Sequence, residues 1–370
     1  MKTYVWTLPT RIFHWMLVAY IALMFLTSEE ERFLNIHAAF GYGVAILIIF
    51  RIFWGFIGPN YSKFSEWPLS IKEALEFVLT IFNPKKVYTG HNPAASFVML
   101  GIIVTVLLTV VSGVLTYGVQ EGRGVLSFLN SSLFKEMEIF EEIHEFFSNI
   151  LLFLIAIHLI GVITDRVLHG KIDTVGSMIT GYKNIESKPA SLNLFQKIFA
   201  SVMLLFAVIT PLYAVTFDSE LTKSRFTAVS YEKEHSLFAN ECSACHTLYP
   251  PFLLPANSWK KLMSTLQNHF GDDASLEEEE RASIEEYLIK NSAENSTKEA
   301  TFYIIKSLKD ERDIIAISET PFWIEKHKGL DKNIFRSSLI KSKANCKACH
   351  KNIEQGLIED RDIKIPESGV

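Results

Sequence analysis

The chain has 370 residues, 49% of them hydrophobic and 28 of them phenylalanine, with a formal charge of −5 at pH 7. This length allows two domains, and the net negative charge argues against a nucleic-acid partner, because phosphate binding needs a concentrated basic face. No GxxxxGK or GxGxxG loop opens a helix after a strand, so nucleotide-cradling folds are not indicated.

The apolar residues are unevenly spread. Five stretches in the first 217 residues are long and apolar enough to cross a bilayer: about 12–27, 33–57, 95–119, 142–166 and 194–217. Helix is the expected state of each, since in lipid every backbone polar group must be satisfied locally. Lys2 and Arg11 precede the first stretch. Arg51, Lys63, Lys72, Lys85 and Lys86 lie at or after the end of the second, and Arg166, Lys171, Lys183, Lys188 and Lys197 lie between the fourth and fifth. The opposite loops are acidic, with Glu29, Glu30 and Glu31 in one and Glu121, Glu136, Glu138, Glu141 and Glu142 in the other. This bias predicts a cytoplasmic N-terminus and an exported C-terminal region. The fifth stretch, Lys197 followed by an apolar run, has the grammar of an uncleaved export signal, because an A-x-A site is poorly formed at its end. The expected division is therefore 1–190 as a membrane domain, 191–217 as an anchoring helix, and 218–370 as an exported domain of short helices. The charge run Glu277–Glu280 reads as a solvated helix face.

The four cysteines fall in two CxxCH units, Cys242 to His246 and Cys346 to His350. This pentapeptide attaches haem covalently through both thiols, and its histidine becomes an axial iron ligand. Zinc binding or thiol redox chemistry would not require histidine directly after the second cysteine in both copies. Each c haem needs a distal ligand. His269 lies twenty-three residues after His246, and His327 lies twenty-three before His350; these two are favoured, with His235 and Met263 as alternatives.

The fourth span carries His144 and His158, fourteen residues apart. That is nearly four helical turns, so both imidazoles leave one face about 21 Å apart along the axis, within a hydrocarbon core of about 30 Å. His14 lies near the cytoplasmic start of the first span and His37 near the outer start of the second. Matching depths pairs His14 with His158 and His37 with His144. A histidine inside a membrane is costly without a partner, and two bis-histidine b haems account for all four. The small residues Ala38, Ala39, Gly41 and Gly43 beside His37 would admit a porphyrin. Arg11 and Arg51 are candidate partners of haem propionates, although snorkelling to the inner interface explains them equally well. His91 and His169 are expected as exposed loop histidines.

Arg11-Ile-Phe-His14-Trp15, His37 with Gly41-Tyr42, Arg51 with Trp54-Gly55, His91-Asn92-Pro93, the His144 and His158 pair, and Met178 to Lys183 resemble the prokaryotic cytochrome b561 family, which includes b-type subunits of nickel-iron hydrogenases. The resemblance spans about 4–186. Glu241 to His246, Tyr249-Pro250-Pro251, Leu254-Pro255, Ser258-Trp259, Leu262-Met263, His269 to Ser275, Trp323 to His327 and the Cys346 unit with Glu354-Gln355-Gly356 resemble the dihaem cytochrome c family over about 230–367. His235 lies outside that pattern. Together the resemblances imply an all-α protein: a transmembrane four-helix haem-binding bundle, a fifth transmembrane helix, and a small, mainly helical dihaem domain.

They also imply two non-covalent b haems, two covalent c haems, and exchange with membrane quinone. The expected setting is a bacterial inner membrane, with a soluble periplasmic redox protein as partner and a homodimer left open. The competing expectation is a cytochrome anchor subunit of a multi-subunit oxidoreductase such as a nickel-iron hydrogenase. No acid-base dyad or activated nucleophile stands out, which leaves electron exchange as the only chemistry indicated.

Overall fold

Five helices are long and apolar enough to cross a membrane: Leu8–Leu26 (α1), Leu34–Ile57 (α2), Pro93–Leu115 (α4), Ile139–His169 (α5) and Leu194–Thr216 (α7). The computed structural model describes residues 2–28, 31–82, 86–133, 138–217, 219–308, 314–331, 333–360 and 363–366; Glu29, Glu30, Lys85 and Glu136 of the charge argument lie outside them. Local chemistry explains the helix starts. Proline stands at the first or second position of α1 and α4, where its missing N–H costs no helical bond. At α4 the Asn92 side chain accepts from the Ala95 N–H at 2.8 Å, so the His-Asn-Pro turn is a helix cap. α7 opens with a reciprocal capping box between Asn193 and Gln196, and Gln196 also donates to the Ile57 carbonyl at 2.7 Å, tying α7 to the end of α2. Two short helices, Ile71–Leu79 (α3) and Thr174–Thr180 (α6), and a two-residue pairing of Thr3–Tyr4 (β1) with Tyr182–Lys183 (β2) complete this part of the chain.

By contact the chain forms two compact units. The first comprises 1–116 and 139–223, and the second 117–138 and 224–370. In the first unit, Phe13, Leu47, Phe50 and Trp54 pack against Ala200, Leu204 and Ala207. The two alanines let α7 approach α2 closely, as small residues do between membrane helices, and Tyr20 donates to the Ala207 carbonyl at 3.0 Å. Val44, Ile48, Val106 and Leu151 join α2, α4 and α5. α5 exposes Phe146, Phe153, Leu159, Ile160, Ile163 and Val167; such a face is a liability in water and a normal outer surface in lipid.

The second unit has two apolar clusters. One gathers Tyr231, Phe238, Leu254, Trp259, Met263, Ile284 and Leu288, and the other Phe252, Leu253, Ile304, Leu308 and Ile353. Its helices are Tyr231–Glu234 (α8), Ser236–Ser243 (α9), Ala256–Met263 (α10), Glu278–Lys290 (α11), Glu299–Ser307 (α12) and Pro321–His327 (α13). The segment between α4 and α5 groups with them, a division that differs from one made along the chain at 190 and 217. Arg123 pairs with Glu359 at 3.3 Å with both side chains 12% exposed, Lys306 pairs with Glu138 at 2.8 Å, and Arg225 donates to the Asn130 carbonyl at 2.8 Å.

A β-carbon at Gly43 would meet the Tyr20 ring at 2.8 Å and Pro211 at 3.3 Å, whereas one at Gly161 would meet nothing within 4 Å. Gly43→Leu should therefore destabilise the first unit by about 1–3 kcal/mol through overpacking, while Gly161→Ala should leave stability unchanged or raise it by up to about 1 kcal/mol. Loss of helical circular dichroism on heating in detergent reads the difference, and equal behaviour of the two variants would contradict this packing.

Candidate functional site

The structure brings six of the sequence-predicted histidines together as three ring pairs. On the first unit the rings of His37 (α2) and His144 (α5) have centroids 6.2 Å apart, while His14 stands on α1 and His158 on α5 of the same unit. On the second unit His246 and His269 are 6.1 Å apart with planes 23° from parallel, and His327 and His350 are 6.2 Å apart. An iron held between two imidazoles at about 2 Å from each nitrogen places the ring centres about 6 Å apart. Three pairs stand at that spacing, too wide for a hydrogen bond between rings and too narrow for an intervening side chain. Among the described residues no group of three or more His, Cys, Asp or Glu is placed to hold a metal ion.

Carbonyls turn several rings the same way. The Nδ1 of His37 bonds the Met24 carbonyl at 3.1 Å, that of His144 the Thr109 carbonyl at 3.0 Å, that of His246 the Thr247 carbonyl at 2.7 Å, and that of His327 the Trp323 carbonyl at 2.7 Å. A proton fixed on Nδ1 leaves Nε2 as the basic nitrogen, the arrangement by which outer groups orient a metal-binding histidine. Nδ1 of His14 and of His350 is buried without a partner. Burial, reinforced by His327, pushes His350 down to about 4, and burial also lowers His269 and His327. Their rings are neutral at pH 7, which is the coordinating form.

The alternative distal ligands are otherwise engaged. His235 accepts from the Phe238 N–H at 3.1 Å as a helix cap and meets Ser283 Oγ at 3.1 Å through its other nitrogen. Met263 is 2% exposed within an apolar cluster. The four cysteines are free of disulfides. Burial, with help from Glu241, pushes the Cys242 thiol up to about 12, and burial pushes Cys346 up to about 11.

Arg51 is 7% exposed, with its guanidinium over the rings of Phe64 and Trp67. Arg11 lies in an apolar groove with Leu8, Ile12, Trp15, Met178 and Ile179 and donates to the Ile179 carbonyl. His169, expected as an exposed loop residue, instead ends α5 with its side chain 14% exposed, held by Asp165 one turn back at 3.2 Å. His91, expected in solvent, sits with its ring between those of Trp6 and Trp67, at 5.0 and 4.9 Å. The cap at Asn92 and the two tryptophans draw it inward, and nothing in the sequence marks those ring contacts. Sequence reasoning also missed Gly113, where a β-carbon would meet the His144 ring at 2.9 Å. Trp323 stacks on His327 at 4.1 Å; its spacing of four residues on one helix was a legible sign.

Residues 5–181 match the family model described as prokaryotic cytochrome b561, and residues 238–358 match that described as dihaem cytochrome c. The chain is similar to the probable Ni/Fe-hydrogenase 1 B-type cytochrome subunit of Escherichia coli K12, 24% identical over 140 residues that cover 31% of this chain and 60% of the relative. Against the probable Ni/Fe-hydrogenase B-type cytochrome subunit of Rhizobium leguminosarum it is 27% identical over 153 residues, covering 33% and 62%. The chain thus spans about 60% of the length of these curated relatives. Among solved structures it is similar to the diheme cytochrome c from Rhodobacter sphaeroides, with 39% identity over 36% of this chain and 100% of that one and a TM-score of 0.31. The diheme cytochrome c of Shewanella baltica OS155 gives 31% identity, 37% and 96% coverage, and a TM-score of 0.30. The two family descriptions imply haem of both the b and the c type.

Gly113 gives the most direct test of the His144 site, because adding a side chain there displaces the ring. Gly113→Val should lose about half of the acid-extractable haem while covalently attached haem is unchanged. Pyridine haemochrome assay before and after acid-acetone extraction measures both, and full retention of extractable haem would contradict the site.

Proposed function

We propose that this chain, which belongs to the prokaryotic cytochrome b561 family through residues 5–181 and to the dihaem cytochrome c family through residues 238–358, moves electrons between membrane quinone and a periplasmic redox protein. It is a multi-pass membrane electron-transfer cytochrome. In the proposed arrangement His14 with His158, and His37 with His144, each hold one b haem. His246 with His269, and His350 with His327, hold the two c haems that Cys242, Cys245, Cys346 and Cys349 anchor covalently. The observation that carries this reading is the spacing of three histidine pairs, 6.1–6.2 Å between ring centres.

Haem supplies one-electron exchange when bound; the protein supplies ligands, orientation and surroundings. The carbonyls of Met24, Thr109, Thr247 and Trp323 keep a proton on Nδ1 of four of the rings, which leaves Nε2 in its basic form. The loop charges support an inner-membrane protein with a cytoplasmic N-terminus and a periplasmic second unit. That orientation places the His14 and His158 site toward the cytoplasm and the His37 and His144 site toward the periplasm. A stable homodimer is compatible with this reading and is not required by it.

The names of the relatives favour a second reading, in which the chain is the cytochrome subunit of a nickel-iron hydrogenase or similar assembly. A stoichiometric catalytic partner on gentle purification would support that reading over a stand-alone conduit.

His144→Ala tests the order of the sites. It should remove about half of the acid-extractable haem and leave the c haems in place, while their reduction by a quinol analogue in stopped flow slows drastically. Quinol reducing the c haems at an unaltered rate would contradict a path through the His37 and His144 site.

A further inference from the structure

The first unit holds a buried row of aromatic rings with a cation at each end. Arg51 lies over Phe64 at 4.8 Å and Trp67 at 5.0 Å, Trp67 meets His91 at 4.9 Å, His91 meets Trp6 at 5.0 Å, and Lys183 lies over Trp6 at 5.7 Å. The fold delivers these residues from five places: the last third of α2, the turn after it, the residue before the cap of α4, the link between β1 and α1, and β2. Gly181, at φ 91°, turns the chain between α6 and β2, and the pairing of Lys183 with Thr3 carries the lysine inside, where it is 2% exposed.

The donors of this row exceed its acceptors. Arg51 Nη1, Trp67 Nε1 and His91 Nδ1 are all buried without a hydrogen-bond partner. Lys183 Nζ donates to the carbonyls of Thr89 at 2.9 Å and Gly90 at 3.2 Å, leaving one of its three protons unused. Burial, with Arg51 and Lys183 nearby, pushes His91 down to about 3, so its ring is neutral. Burial likewise pushes Lys183 down to about 8 against the opposing pull of Asp165. Asp165 bonds His169 at 3.2 Å through Oδ1 while its Oδ2 is buried without a hydrogen-bond partner, so it makes no bond to Lys183 or to any other donor of the row. Buried cations and unmade N–H bonds are strongly unfavourable unless an anion completes them. A planar, two-oxygen acceptor fits a guanidinium best.

We propose that Arg51, Trp67, His91 and Lys183 form a carboxylate site that receives the propionates of the haem held between His14 and His158. The proposal rests on that ligand pair and extends it. Trp6 lies two residues before α1, whose second turn carries His14, so the row borders this site, and propionates are the anionic groups a haem carries. The expected role is positioning and tuning: the cations neutralise the carboxylates and favour the reduced iron, which carries one less positive charge.

Redox titration of the full chain in detergent tests this. The b haem lost in His158→Ala identifies the signal to follow. In Arg51→Met and in Lys183→Met that haem should stay bound, and its midpoint potential should fall by an amount equivalent to a tenfold or greater loss of the reduced form at fixed potential, 59 mV for one electron. Arg51→Lys should restore most of the fall, and the resonance Raman band of the propionate bend should move in Arg51→Met and Trp67→Phe. Unchanged potential and unchanged propionate band in all of these variants, with both b haems bound, would overturn the proposal. A wild-type potential that responds to added inorganic phosphate would overturn it in favour of a free anion. If His158→Ala removed no b haem, the ligand pairing itself would be wrong, an outcome distinct from either of these.

Discussion

An imidazole held away from water gains when a backbone carbonyl fixes its proton, and this happens at Nδ1 of His37, His144, His246 and His327. Nδ1 of His37 and of His144 finds a carbonyl on a neighbouring helix, at Met24 and Thr109. Each of these bonds fixes a ring and leaves Nε2 as its basic nitrogen. The 6.2 Å separation of His37 and His144 depends on α2 and α5 holding their spacing across α4. That spacing in turn rests on Val44, Ile48, Val106 and Leu151, and on the absence of a side chain at Gly113. Packing and ligation are thus one problem on these helices, since a helix shift that relieved a void would also part the rings.

The same logic takes a different form in the second unit. There the helices are short, and an apolar core must be gathered from loops and turns. His246 bonds the carbonyl of the next residue, and His327 bonds that of Trp323 one turn back on α13. Orientation is therefore built locally, which suits a small domain whose CxxCH histidines are already tethered by sequence. The segment between α4 and α5 belongs to this unit through the buried Arg123–Glu359 pair and the Arg225 bond to Asn130. A charge pair this shielded is costly to break from one side, so the segment is committed to its partners although the chain enters and leaves it from membrane helices.

The long-range logic was legible because it follows simple periodicities. Fourteen residues between His144 and His158 return to the same helix face, and apolar runs of bilayer length announce the spans. Two CxxCH pentapeptides announce their own chemistry. The twenty-three-residue offsets of His269 and His327 pointed to the residues that stand beside His246 and His350. What escaped was everything set by backbone carbonyls and ring stacking. No residue type marks Met24 or Thr109 as a histidine's partner, since any residue offers the same carbonyl. His91 looked like a solvent-facing loop residue because its neighbours Trp6 and Trp67 are remote in sequence. Helix ends moved for similar reasons: α5 extends to 139 and 169 beyond its apolar stretch, carried by Glu141 and Glu142 in its first turn and Arg166 and His169 in its last, which complement the helix dipole.

In the proposed arrangement every iron sits between two imidazoles. Low-temperature EPR of the fully oxidised, purified chain, integrated against total iron, measures this without regard to electron direction or partner. Four low-spin ferric centres per chain, with no high-spin signal and no near-infrared band of methionine ligation, is the result expected from the His14–His158, His37–His144, His246–His269 and His327–His350 pairs. A stoichiometric high-spin centre, or methionine ligation at a c haem, would contradict it.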